Sequence, residues 1–299
     1  MSGTLELGLL FAITALGVYL TFRVLNFPDL TVDGSFTTGA AVAASLIVGG
    51  VPAPLATLAG TASGAVAGAV TGLLYTKGRI DGLLAGILTM IALWSINLRI
   101  MGKSNVPLLR EDTVMTPLRE GGLLGSPVAI LLFAVGVFLL KALIDWFLHT
   151  DLGLAIQATG NNEQMIRSFG VNTHGTTILT LALSNALVAL SGALIAQYQG
   201  FADVSMGIGL ILVGLASVII GQAIFGTRTV ILATLGVIAG AVLYRLVIFF
   251  ALAAGLNPND MKLISAVLVV AALLLPRWGF LKRLPKLRFA AARGYGKAA

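Results

Sequence analysis

The sequence predicts an all-α, polytopic membrane protein of about eight to nine transmembrane or half-membrane helices, built as an inverted-topology internal repeat. The first observation is compositional: 58% of the residues are hydrophobic and only 10% charged, with 36 glycines among 299 positions. A soluble domain carries about 25% charged residues. The second is length, since apolar windows of about 20 residues recur along the chain, each long enough to cross roughly 30 Å of hydrocarbon. The third is the repeat itself. Leu55-Ala56-Thr57-Leu58 returns as Leu232-Ala233-Thr234-Leu235, and Phe27-Pro28-Asp29 is echoed by Phe201-Ala202-Asp203, at offsets of 177 and 174 residues. An odd number of crossings separates the copies, so they point in opposite directions through the membrane, a design found in transporters.

In chain order, a first span is expected at about 5–24. Its start, MSGTLELGLL, has no basic n-region, so no cleavable signal is read there. An irregular segment, 26–36, precedes an apolar run ending near Gly50. Further spans follow at about 53–75, 80–101, 126–148, 173–199, 207–225, 229–254 and 261–276. Helices are favoured over strands because these runs show neither alternation nor flanking turns. One transmembrane domain therefore covers 1–276, with repeat halves at about 5–101 and 173–276, a polar connecting segment at 152–172, and a basic tail at 277–299.

Orientation follows from Lys and Arg. With the N-terminus outside, thirteen of the 19 basic residues fall on the inner side, among them Arg23, Lys77, Arg79, Arg167, Arg228 and the tail, against six outside. The C-terminal tail then lies along anionic headgroups, with Trp278 and Phe280 at the interface, rather than on nucleic acid. The absence of cysteine excludes disulfides and thiolate metal sites, and two isolated histidines make no metal site.

Four stretches carry candidate function. Residues 152–174 are polar between two apolar runs: Asn161 is expected to cap a short helix with Gln164 as capping-box partner, Gly170 to stop it, and Met165, Ile166 and Phe169 to share one face. So short a helix is marginal alone and must dock on something, unless the stretch is a plain connector. Residues 26–36, NFPDLTVDGSF, hold Pro28, Gly34, Asp29 and Asp33 where charge is costly. They read either as a broken helix lining a water-filled cavity or as a loop in which Asp29 caps the next helix. Gly60, Gly64, Gly68 and Gly72 recur every fourth residue and predict close helix contact. Arg245 is read as snorkelling to the outer interface in preference to a cavity charge, and Lys141 with Asp145 as a local i,i+4 pair. The run ending Gly102-Lys103-Ser104 lacks the first glycine of a phosphate loop and follows a membrane span, so nucleotide binding is rejected. No catalytic arrangement is found.

The stretches Asp29-Leu-Thr-Val-Asp-Gly-Ser35, Val70-Thr-Gly-Leu-Leu-Tyr-Thr-Lys77-Gly78-Arg79, and Ala158-Thr-Gly160-Asn161-Asn162-Glu163 followed by Gly170-Val-Asn172 resemble the permease subunits of ABC importers of the branched-chain amino acid and ribose type. The resemblance runs in order over about residues 10–276. It implies that Gly160, Asn161, Asn162, Glu163, Met165, Ile166, Arg167, Phe169 and Gly170 form the cytosolic segment that seats in an ATP-hydrolysing partner. It further implies two permease copies, two ATPase subunits that use ATP and Mg, an extracytoplasmic binding protein, a bacterial inner-membrane location, and no cofactor on this chain. Asp29, Thr31, Asp33, Ser35 and Asp203 are then expected to line or support the path. Ribose-type relatives usually begin with an extra span that is missing here, in keeping with an outside N-terminus. The Phe27-Pro28 pair and the extra Asp33 resemble a subgroup linked to aromatic amino acids and other small nutrients. The residues alone also admit a stand-alone, ion-coupled secondary transporter with Asp29, Asp33 and Asp203 as ion sites, or a scaffold protein.

Overall fold

A computed structural model describes residues 2–255 and 263–270. The end of the last expected span and the basic tail, with Trp278 and Phe280, lie outside the described residues.

The first half opens with α1 (Ser2–Tyr19), continued by a π-helical turn at Leu20–Val24. After an extended break come α2 (Thr31–Val48), α3 (Ala53–Thr76) and α4 (Gly82–Met101). A strand, β1 (Asn105–Pro107), a short helix, α5 (Thr116–Glu120), and α6 (Pro127–Leu148) lead to a two-helix arm, α7 (Asp151–Asn161) and α8 (Glu163–Ser168). The second half comprises α9 (Thr173–Gln199), β2 (Phe201–Asp203), α10 (Leu210–Phe225), α11 (Val230–Ala253) and helical residues 263–270. Seven of these helices are long and apolar enough to cross a membrane, counting α1 with its π turn, while α10 is an apolar helix of 16 residues.

The element order of the first half, long helix, extended break, helix, long helix, recurs from α9 to α11. The two halves run oppositely. α3 begins where Thr57 Oγ1 receives Gln197 Nε2 near the end of α9 (2.8 Å), at the end of the bundle where β1 pairs antiparallel with β2, Asn105 opposite Asp203. α11 begins at the other end, where Thr234 Oγ1 donates to Asp145 near the end of α6 (2.7 Å).

α1 is apolar on all sides and correspondingly buried, with α6, α9, α10 and α11 around it. Its contacts depend on small residues and on hydroxyls that return hydrogen bonds to a neighbouring backbone. Ser184 and Ser191 of α9 donate to the carbonyls of Gly17 and Leu10 at 2.7 and 2.8 Å. Two buried acids are met by donors that offset their desolvation cost. Glu6 accepts from Gly125 N and the Tyr198 hydroxyl, and Lys141 pairs with Asp145.

Arg245 departs from the snorkelling expectation. Its guanidinium lies 3.9 Å from the Phe11 ring centroid on α1, with Nε buried and unpartnered among the described residues. The aromatic face across the helix pair supplies an interaction that the interface would otherwise have to provide.

A broken helix, a lined cavity and an exposed arm

The break after α1 starts with a π turn and Asn26 at φ +57°, the left-handed region that asparagine tolerates better than most residues. It ends at Asp29, only 2% exposed. One carboxylate oxygen of Asp29 accepts Thr31 N at 2.9 Å, and the other accepts Asn185 Nδ2 at 2.7 Å from midway along α9. Asp29 thus caps the next helix, as the loop reading held, yet it does so deep in the helix bundle. The Thr31 hydroxyl continues the network to Thr71 on α3 (2.8 Å), and Thr71 bonds Thr89 on α4 (2.9 Å). Ser35 is fully buried, its hydroxyl without a partner among the described residues.

Asp33 behaves differently. Its two oxygens accept Gly209 N and Ile211 N, each at 2.8 Å, so a first-turn residue of α2 caps the N-terminus of α10 in the opposite half. A carboxylate is the favoured group there, because the first N–H groups of a helix lack intrahelical acceptors and carry partial positive charge. Beside this junction lies a cavity of about 370 Å³. Asp33 and Thr37 line it from α2, Met90, Trp94 and Asn97 from α4, and Ile208 from the strand-to-helix connection. The walls are mostly apolar, and Asn97 is buried with an unpartnered Oδ1 among the described residues. Of the expected path residues, only Asp33 reaches this cavity. Asp29, Thr31 and Ser35 are buried in helix contacts and do not line it.

Asp203 sits apart in β2, accepting from Asn105 Nδ2 (3.3 Å) and from the Ser205 amide and hydroxyl. Partial burial raises its carboxyl, but the Ser205 and Asn105 donors outweigh that and hold it below the usual carboxylate value. The Phe-x-Asp echo places Asp29 and Asp203 at like points in the element order and in unlike surroundings.

At the opposite end, α8 is capped by Asn162, whose Oδ1 accepts Met165 N at 3.0 Å. The expected cap, Asn161, is instead the last residue of α7, which packs through Gly153 on Leu148 and through Gly160 on Val24 and stays helical to Asn161 before the chain opens at Asn162 (φ −160°, ψ 95°). With the cap one position later, the expected box partner Gln164 is the second residue of α8 and not the third, so it forms no capping box, and Glu163 accepts from Thr173 at 3.1 Å, tying α8 to α9. α8 buries none of its residues; Met165 is 50% and Phe169 76% exposed, while Ile166 is half-buried. Arg167 and Gly170 are exposed, and the Arg167 guanidinium bonds His174. Gly160 faces inward: a Cβ there would meet the Val24 carbonyl and the Leu25 backbone, so α7 rests directly on the start of the break.

The glycine face of α3 lies against α9 and α2. A Cβ at Gly60 would stand 2.6 Å from the Gly39 carbonyl, at Gly64 2.5 Å from the Asn185 carbonyl, and at Gly72 2.8 Å from Ile178 Cα; at Gly68 it would collide with the Leu181 carbonyl. Among the described residues no group of three metal-ligating side chains comes together.

The family described as "Branched-chain amino acid transport system / permease component" matches residues 1–274. The chain belongs to this permease family. The permease is 45% identical over 276 residues, 91% of either chain, to the "Tyrosine transport system permease protein" of Clostridioides difficile. It is 29% identical over 182 residues to the "Ribose import permease protein RbsC" of Escherichia coli, covering 60% of this chain and 55% of the relative. The corresponding protein of Bacillus subtilis is 28% identical over 189 residues, with 63% and 55% covered. No solved structure matches the permease. Trp94, Met90 and Asn97 escaped sequence reasoning because α4 shows no polar motif; only Asn97, a lone amide in an apolar run, gave a signal.

Proposed function

We propose that this permease is the membrane subunit of an ABC-type importer in a bacterial inner membrane, with its N-terminus outside and its C-terminus inside. Two copies would form the path, and two cytosolic subunits would hydrolyse ATP with Mg. An extracytoplasmic binding protein would deliver a small nutrient, an amino acid with an aromatic side chain being the favoured class. The observation that carries the reading is the arm. A six-residue helix with no buried residue and a 76%-exposed phenylalanine beside it is not sustained by propensity or by its own contacts, so it belongs in a partner's groove. The stretch of chain concerned is the cytosolic ATGNNE to GVN segment of the resemblance. Displacement of the arm would reach the membrane part through Gly160 on Val24 and Leu25, and from there the break, Asp29 and α2.

The substrate class is supported by the cavity, which sets a carboxylate and a free amide oxygen among Trp94, Met90 and Ile91, and by the name of the 45%-identical relative. The test is association. Phe169→Ala with Met165→Asp strips two exposed anchors, and anchors of this kind are worth about 2 kcal/mol each. We expect retention of the co-expressed ATPase subunit by the inserted, folded permease to fall by at least about 30-fold. Unchanged retention and ATPase stimulation would refute the docking role. Uptake by the chain alone into vesicles under an ion gradient would favour the ion-coupled alternative.

A further inference from the structure

A second, polar cavity of about 350 Å³ lies at the arm end of the bundle, away from the one beside Asp33. Its wall includes Arg23 from the π turn closing α1, Gln157 from α7, Arg228 and Thr229 at the start of α11, and Tyr19. Three features are independent of one another. No carboxylate lines it, and among the described residues neither arginine is in a salt bridge. Arg23 is held by Gln222 Oε1 at 2.5 Å, which orients its guanidinium without neutralising it. Tyr19 is only 6% exposed, yet its hydroxyl makes no hydrogen bond among the described residues. Asp145, an acid whose charge reaches Tyr19, is committed to Lys141 and Thr234. The first turn of α11, with Val230 and Ala233 in the wall, adds N–H groups and the positive end of a helix.

We infer that this cavity is an anion site for a phosphate-type group. Two guanidiniums without a counter-charge, a hydroxyl donor and a helix N-terminus are the donor set that a tetrahedral oxyanion satisfies and a neutral solute does not. Because the site lies where α1 and α10 end and α11 begins, and the ends of membrane-spanning helices are where lipid headgroups are met, the group is carried either by an anionic phospholipid or by free phosphate. An occupant would join α1, the arm helix α7 and the second half at one point.

The experiment uses the full-length permease in neutral detergent at constant ionic strength, so that screening is fixed. The thermal unfolding midpoint is followed while dioctanoyl phosphatidylglycerol, dioctanoyl phosphatidylcholine or inorganic phosphate is titrated in. We expect saturable stabilisation that weakens by at least tenfold in apparent affinity in Arg23→Gln/Arg228→Gln. Arg228 is exposed and makes no hydrogen bond among the described residues, so Arg228→Gln alone keeps the fold and should give part of the loss, with Arg228→Lys recovering some of it. Phosphatidylglycerol acting alone identifies a lipid headgroup, and phosphate acting equally well identifies a free anion. Equal effects of phosphatidylcholine and phosphatidylglycerol, no stabilisation by any probe, or the same stabilisation in the variants would overturn the assignment.

Discussion

Replacing Asp33 by asparagine changes one atom and separates two roles for this residue. In the native arrangement each carboxylate oxygen accepts one N–H, from Gly209 and from Ile211, both at 2.8 Å. The amide of asparagine has a single acceptor and would point its NH2 at the second N–H. One charge-assisted bond is lost, worth about 1.5–3 kcal/mol, and a partly buried donor is left unmet. The favourable interaction of the charge with the start of α10 adds about 0.3–1 kcal/mol. The two effects share the same atoms and are not fully additive, so a loss of roughly 2–4 kcal/mol at the α2–α10 junction is expected. The thermal midpoint of the purified permease should then fall by at least about 4 °C. A single cysteine at Ile208, in a chain without native cysteine, should react faster with a small water-soluble thiol reagent. Transport should drop while the ATPase subunit stays bound, because the arm is at the other end of the bundle. An asparagine variant with parental midpoint and parental transport would refute the bracing role. Parental midpoint with lost transport would instead put the carboxylate in contact with substrate.

Gly64→Leu or Gly68→Leu should prevent normal assembly whatever the substrate, since a Cβ alone already meets the α9 backbone at both positions; normal yield and transport in both would count against the contact. Gly160→Ala should preserve insertion and ATPase binding but lower transport per ATP hydrolysed by about tenfold or more, because α7 would be lifted from Val24 and Leu25. Coupling equal to the parent in that variant would remove the arm-to-break contact from the mechanism.

What the sequence made legible is what depends on local composition. The spans were visible because apolar length alone predicts them, and the glycine period because four residues bring successive side chains onto one face. Pairings set by distant chain were not. Asp33 meets partners 176 and 178 residues away, and Arg245 finds Phe11 on another helix. In the arm, two adjacent asparagines offered the same cap chemistry, and the choice of Asn162 depends on how far α7 continues, which its packing on Leu148 and Val24 decides. The same reasoning explains why Asp29 belonged to both readings offered for residues 26–36. A chain interrupted within a bundle must satisfy the N–H groups of the helix that restarts, and at bilayer depth water is not available for that. A cap carboxylate answers the backbone, and Asn185 answers the carboxylate. That makes α2 an element restarted on a side chain that α9 holds, so any movement of α9 relative to α1 acts on the base of α2 before it reaches the cavity beside Asp33.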